Sequence, residues 1–334
     1  MRPLQPLLLL ACAVALFILP MVWGEGDNES KPGLLPAVAQ GPKWLKGNLH
    51  THSLWSDGDD YPEMIADWYK RAGYHFLALS DHNILSEGTR WFELKAPVSL
   101  KGEVVQRGGG AVLEKYLARF GPDWVEQRMT GAKREVRLKP LAEYRPLVEE
   151  SGRFLMIPGM EVTSSWKRPK TATEPEMGGP VHMNLTNPVS LVAPIAGDNA
   201  VEIMRRSVDA VLAQREKTGQ PMFLHLNHPN FVWGVTAEEL MQVHGEKFFE
   251  VYNGHPSVHN EGDTTHAGLE RMWDIVLAWR IAQLDAVISA QNLAALPQQQ
   301  QAARGLFDAN AGNILCLHIA GPYGCGTCWQ QPGG

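Results

Sequence analysis

The chain of 334 residues is 44% hydrophobic and 20% charged, the balance of an ordinary globular protein long enough for one large domain or two small ones. Its formal net charge of −6 excludes a nucleic-acid binder that works by bulk electrostatics, so any anion recognition has to be local. The four cysteines stand at Cys12, Cys316, Cys325 and Cys328, which excludes disulfides and thiolate metal sites within 13–315 and leaves nitrogen and oxygen donors for any metal there.

Residues 1–24 read as a signal peptide: Arg2 supplies a positive start, 7–19 is an unbroken apolar run, and Gly24 is a small residue before polar sequence. The run is short for a membrane span, so no stable span is expected after cleavage. The expectation is export to the periplasm or the exterior. Its alternative is a membrane anchor, either the uncleaved segment or a lipid on Cys12, which follows Leu9-Leu10-Ala11. Residues 25–43 are rich in Gly, Pro and charge and read as a linker.

From 44 to 285 short apolar runs alternate with helical patterns, the signature of a parallel sheet or barrel with helices outside. Strands are predicted over 45–50, 75–80, 153–161, 222–228 and 248–253, and helices over 62–72, 200–217 and 268–283. Pro62 suits a first helical turn, and Gly73 and Gly219 suit helix ends. The stretch 84–150 is too long for a loop and reads as an inserted helical cap, with helices over 113–120 and 123–129. It carries Arg119, Arg128, Lys133, Arg134, Arg137, Lys139 and Arg145, which could orient a phosphate or carboxylate through bidentate contacts. The interleaved Glu126, Glu135, Glu143, Glu149 and Glu150 favour the other reading, a solvated face of paired charges. Composition changes abruptly near Asp285, so 286–334 is read as a divergent tail; the spacing of Cys325 and Cys328 lacks a redox context and is read as incidental.

The polar residues that matter fall at strand ends. His50 and His52 alternate along one strand, so they share a face and can hold one ion together, with Asp57 following in the loop. Asp81-His82 ends the next apolar run, and Glu161 ends another, where a carboxylate can bridge two ions. His182, the pair His225 and His228, and the group Glu250, Asn253 and His255 recur at similar places. Any one such histidine reads more readily as a hydrogen-bonded core or rim residue. Their repetition at strand ends, where barrels carry their chemistry, favours a metal shell.

The motifs His50-Thr51-His52-Ser53, Ser56-Asp57-Gly58, Ser80-Asp81-His82, Gly159-Met160-Glu161 and Asn227-His228-Pro229 resemble those of the PHP (polymerase and histidinol phosphatase) superfamily of metallohydrolases. The surroundings Gly47-Asn48-Leu49-His50 and Glu250-Val251-Tyr252-Asn253-Gly254 are most similar to its carbaryl-hydrolase-like branch, CehA/McbA. The resemblance runs from about Trp44 to about Arg280. It implies an α/β fold, a distorted (β/α)7 TIM-like barrel over 44–285, with two or three divalent ions, Zn, Mn or Fe, at the strand C-terminal ends.

Carried over by motif position, His50, His52 and Glu161 would hold one ion, Glu161 and His182 a second, and Asp57, His82 and His228 a third. His75, His225, His244, His259 and His266 match no ligand position. The implied reaction is metal-assisted hydrolysis by an activated water, acting on a phosphoester, ester, amide or carbamate of a small, anionic or ester-containing molecule. Ser53 and Ser56 then read as loop hydrogen-bonders and not as nucleophiles. The chain departs from the family after Gln283, where an Asp-Asp-x-His motif is expected and Ala286-Val287-Ile288-Ser289 stands instead; Asp308 and His318 lie too far apart to replace it. The second reading is therefore a barrel that keeps part of the shell and binds a ligand without turnover. Substrate, choice of metal and oligomeric state are left open by the sequence.

Overall fold

The structure, a computed structural model, describes residues 44–100, 103–168, 170, 177–245 and 247–291. The expected signal peptide, the linker and the tail beyond 291 lie outside the described residues. In chain order the elements are β1 (Gly47–Asn48), α1 (Pro62–Arg71), β2 (Phe76–Leu79), β3 (Arg90–Glu93), β4 (Val98–Leu100), β5 (Glu103–Val105), α2 (Ala111–Phe120), β6 (Gln127–Thr130), β7 (Lys133–Leu138), α3 (Leu141–Val148), β8 (Leu155–Arg168), β9 (Met177–Thr186), α4 (Ala200–Thr218), β10 (Phe223–Leu226), α5 (Ala237–Met241) and α6 (Leu269–Gln291).

The main sheet has five strands in the order β1-β2-β8-β9-β10. The first three run parallel, and β9 is antiparallel to both β8 and β10. Among the described residues this is an α/β fold around a five-stranded sheet, without the closed ring of a seven-stranded barrel. Alternation along the strands separates two faces. Met160, Val162, Val181, Met183, Leu185, Leu224 and Leu226 pack with Ile203, Met204 and Val208 of α4 and Leu269 and Met272 of α6. Leu77 and Leu79 pack on Ile65 and Tyr69 of α1 and on Tyr144 of α3. The residues between them, Glu161, Asn184 and His225, fall on the other face and are equally buried.

Two predicted strands are shorter than expected, for identifiable reasons. The strand over 45–50 shrinks to β1: Leu45 is exposed, and His50 N–H bonds to Asn48 Oδ1 (2.8 Å) instead of joining a ladder. The strand over 248–253 survives as a parallel bridge between Leu226 and Phe249, after which Asn253 N–H turns to the Asn260 side chain (2.9 Å). By contrast β8 runs on to Arg168, because β9 pairs with it along its outer half. Helix α4 starts at the Asn199 cap, whose side chain accepts from Glu202 N–H, and ends at Gly219, where φ of 67° is the left-handed turn that glycine permits. Helix α6 extends past the predicted end at 283.

The inserted region is a mixed cap and not a helical one. Helix α2 forms as predicted, but 123–129 does not become a helix. Gln127–Thr130 is instead β6, paired across Gly131 with β7, and β3 completes a three-stranded sheet. Residues 133–138 show why: Val136 and Leu138 are buried while Lys133 and Glu135 face outward, a period of two. Most basic residues of this region pair with acidic neighbours, Arg119 with Asp67, Arg128 with Glu135, Lys133 with Glu93, Arg137 with Glu126 and Glu143, Lys139 with Glu126 and Arg145 with Glu149, while Arg134 donates to Gln127 Oε1.

Candidate metal centre

The turn after β1 is built by side chains that hold backbone. Asn48 Nδ2 donates to Tyr69 Oη (2.7 Å), while its Oδ1 takes His50 N–H, which bends the chain out of the strand. Asp81, buried, accepts from Ser53 N–H (2.8 Å), Ser53 Oγ (2.8 Å) and Ser56 Oγ (2.6 Å). It therefore clamps the 53–56 turn and has little left for an ion. Gly58 closes the turn with N–H to Ser53 O (2.9 Å), and a Cβ there would stand 2.3 Å from His52 O. The bridge His82↔Glu161 continues β2 beside β8, and Asn83, at φ of 53°, locks that end by exchanging hydrogen bonds with the Thr163 backbone.

Five imidazoles and one carboxylate then converge. Glu161 Oε1 lies 3.2 Å from His182 Nδ1, 3.7 Å from His50 Nε2 and 3.8 Å from His228 Nε2. Its Oε2 lies 2.8 Å from His82 Nδ1 and 3.2 Å from His52 Nε2. Asp57 stands on the second side, 3.6 Å from His52 Nδ1 and 3.4 Å from His82 Nε2. Four trios of donor atoms come within 4.8 Å of one another: His50, His52 and Glu161; His82, Glu161 and His182; His52, Asp57 and His82; and His50, His228 and Glu250.

These donors suit a divalent cation. His50 Nε2, His52 Nε2, His182 Nδ1 and Glu161 Oε2 are buried and have no hydrogen-bond partner. Unsatisfied buried polar atoms each cost about 1–3 kcal/mol, and a cation among these four would relieve them together. Ligands bound at about 2.0–2.2 Å in a tetrahedron stand roughly 3.3–3.6 Å from one another; the Glu161 contacts with His50, His52, His182 and His228, at 3.2–3.8 Å, bracket that spacing, while His82 Nδ1 at 2.8 Å is closer.

Electrostatics points the same way. Burial disfavours charge on His50, yet Glu250 and Glu161 outweigh it and raise its pKa to about 10. Burial holds His52 and His228 neutral, with pKa values of about 3. Burial works against a charge on Glu161 too, but the surrounding imidazoles keep its carboxyl well below the usual carboxylate range. The buried carboxylates of Glu161 and Glu250 thus favour positive charge beside them.

Glu250 is the residue that sequence reasoning left without a role. Its Oε1 meets His50 Nδ1 (3.2 Å) and accepts from Asn253 Nδ2 (3.0 Å), and its Oε2 accepts from His228 N–H (2.9 Å). Fixing Nδ1 turns His50 Nε2 toward Glu161, the carboxylate–histidine arrangement that orients metal ligands. The available signal was its position at the end of an apolar run, like Glu161. Asn227 does similar work from the other side, donating to Glu161 Oε1 (2.6 Å) and Asn184 Oδ1 (2.9 Å).

All seven predicted ligands, His50, His52, Asp57, His82, Glu161, His182 and His228, thus meet in one cluster, but their grouping differs from the expected one. His228 does not join Asp57 and His82; it stands with His50 and Glu250. His50 follows β1 and His228 follows β10, the two edges of the sheet, yet their rings lie 5.3 Å apart, while Asp57 and His82 meet on the far side of His52. His75, His225, His244, His259 and His266 enter no such group among the described residues.

The segment after His228 walls the cluster. His228, Val232 and Trp233 have φ of 22°, 43° and 59°, a strained conformation for non-glycine residues and most of all for β-branched valine. It sets the Phe231 ring against His228 (5.1 Å between centroids) and His182 (5.8 Å), and stacks Trp233 between His259 (4.2 Å) and His266 (4.0 Å). A cavity of ≈ 320 Å³ lined by Leu79, Tyr144, Arg145, Ile157 and Gly159 includes no ligand candidate. Neither a scan against protein-family models nor a search of curated proteins finds a match for the chain.

Proposed function

We propose that the protein is a metal-dependent hydrolase of the PHP type, a variant of the distorted (β/α)7 barrel closest to the carbaryl-hydrolase-like branch. His50, His52, Asp57, His82, Glu161, His182 and His228 would hold two or three divalent ions, Zn, Mn or Fe. One observation carries the reading: the two oxygens of Glu161 divide the histidines, with His50, His182 and His228 around Oε1 and His52 and His82 around Oε2. A buried carboxylate shared in this way suits a bridge between two cations.

Divalent ions in such a shell bring the pKa of water toward neutrality and polarise a carbonyl or phosphoryl oxygen. The residues themselves set the rest. Glu161 and Glu250 are fully buried and form the back of the site, while the Asp57 side chain is 46% exposed and that of His82 20%. Substrate would enter on the Asp57 and His82 side, with Phe231 as an apolar flank. With most of the insertion's basic residues already paired with carboxylates, a small ester, amide, carbamate or phosphoester is favoured over a polyanion. Among the described residues no helix is long and apolar enough to cross a membrane, and the N-terminal apolar run supports export.

The test is elemental analysis of the purified protein together with hydrolysis of p-nitrophenyl acetate and bis(p-nitrophenyl) phosphate. Two or more ions per chain with turnover of either probe is the expected result. One ion or none without turnover would favour the ligand-binding alternative.

A further inference from the structure

Outside the ligand groups, one histidine beside the cluster has its chemistry fixed by its neighbours. His255 N–H donates to Asn253 Oδ1 (2.8 Å), and Asn253 Nδ2 in turn donates to Glu250 Oε1 (3.0 Å). The loop bearing His255 is therefore hung from the carboxylate that orients His50. Its ring is fixed as well. Ser257 N–H donates to His255 Nδ1 (3.1 Å), so the neutral imidazole carries its proton on Nε2. The ring meets Phe231 edge-on (5.4 Å between centroids, 73°), and Phe231 lies against both His182 and His228. Burial lowers the His255 pKa, and the Asp57 carboxylate is near enough to oppose that shift.

The turn alone does not call for an imidazole. It needs an acceptor for Ser257 N–H, which an Asn or Asp side chain provides equally well. What histidine adds is the second nitrogen, an N–H that when uncharged is not repelled by bound cations, on a half-buried ring packed beside Phe231; a donor set in place before reaction can stabilise developing charge. A neutral imidazole serving as an electrophile is an established way to stabilise an oxyanion.

We propose that His255 is a neutral hydrogen-bond donor, through Nε2–H, to the substrate oxygen that gains negative charge during hydrolysis. This rests on the hydrolase reading given above. Bond making and breaking are left to water and the ester; His255 supplies a donor and keeps its proton.

The test is His255→Asn, which retains the turn acceptor and deletes only Nε2–H. In zinc-loaded protein the expected result is a loss in kcat on the order of 10²–10³-fold on p-nitrophenyl acetate, with KM, zinc content and thermal midpoint unchanged. A second measurement needs no turnover: the affinity of the zinc-loaded protein for inorganic phosphate, by calorimetry, should fall about tenfold in the variant. Wild-type turnover that His255→Asn leaves intact overturns the donor while sparing the hydrolase. No turnover by wild type, but phosphate binding that weakens in the variant, overturns the hydrolase and keeps the donor. Phosphate affinity that is absent from wild type or equal in both proteins overturns the donor.

Discussion

His50 and His52 can be read as a pair from their spacing alone, since period two puts them on one face. Glu250 cannot, because its role depends on a contact with a residue 200 positions away and on a bridge one residue long. Two substitutions separate these roles. Glu161→Gln removes the charge between two sets of imidazoles, and metal content should fall to one ion or none with the secondary structure kept. Retention of two ions by the folded variant would refute the shared carboxylate. Glu250→Gln leaves every proposed ligand atom in place but weakens the hold on His50 Nδ1. Losses of this kind cost about 10–100-fold in metal affinity, and a chelator titration should show that drop without loss of stoichiometry at saturating zinc.

At the scale of elements, the sequence was clearest where one period ran for several turns. Helix α4 starts at Ala200 and ends at Gly219 as predicted, whereas 127–130, expected within a helix, forms β6, because Val125 and Met129 mimic helical spacing over a segment shorter than two turns. The joint between α1 and the insertion was not legible either. Glu63, buried on α1, accepts hydrogen bonds from Tyr116 Oη of α2 and from Trp124 Nε1 (2.8 Å). Burial raises the Glu63 pKa from 4.5 to about 7, against the pull of those donors. Because the folded value lies above the unfolded one, the protonated acid stabilises the joint in full below pH 4.5, and that contribution is lost as pH rises through about 7. The difference in thermal midpoint between Glu63→Gln and wild type should therefore shift in favour of the variant from pH 4.5 to 8. A pH-independent difference would mean that Glu63 is ionised in the folded protein throughout this range.

Across the whole molecule the ligand candidates run from His50 to His228 and come from all five strands of one sheet, with three of them, His50, His52 and Asp57, following β1. Individual strand-end residues were readable because the run before each is apolar and ends in His, Asp or Glu. Which of them meet was not, because that follows the spatial order of the strands and the approach of the sheet's two edges: β2 pairs with β8 across the insertion, and His50 after β1 reaches His228 after β10. The same order has a thermodynamic consequence. A cation bound at Glu161 would tie the segments that follow β1 and β2 to the middle of β8 and β9, so its removal should be felt by the sheet as a unit and not by one loop. Binding at 100 times Kd stabilises by about 2.7 kcal/mol, which for a domain of this size corresponds to roughly 5–10 °C. Treatment with EDTA should lower the thermal midpoint by that amount in one cooperative transition, and added zinc should restore it. A midpoint that EDTA leaves unchanged would mean that the convergence of imidazoles on Glu161 is satisfied by protons and water alone.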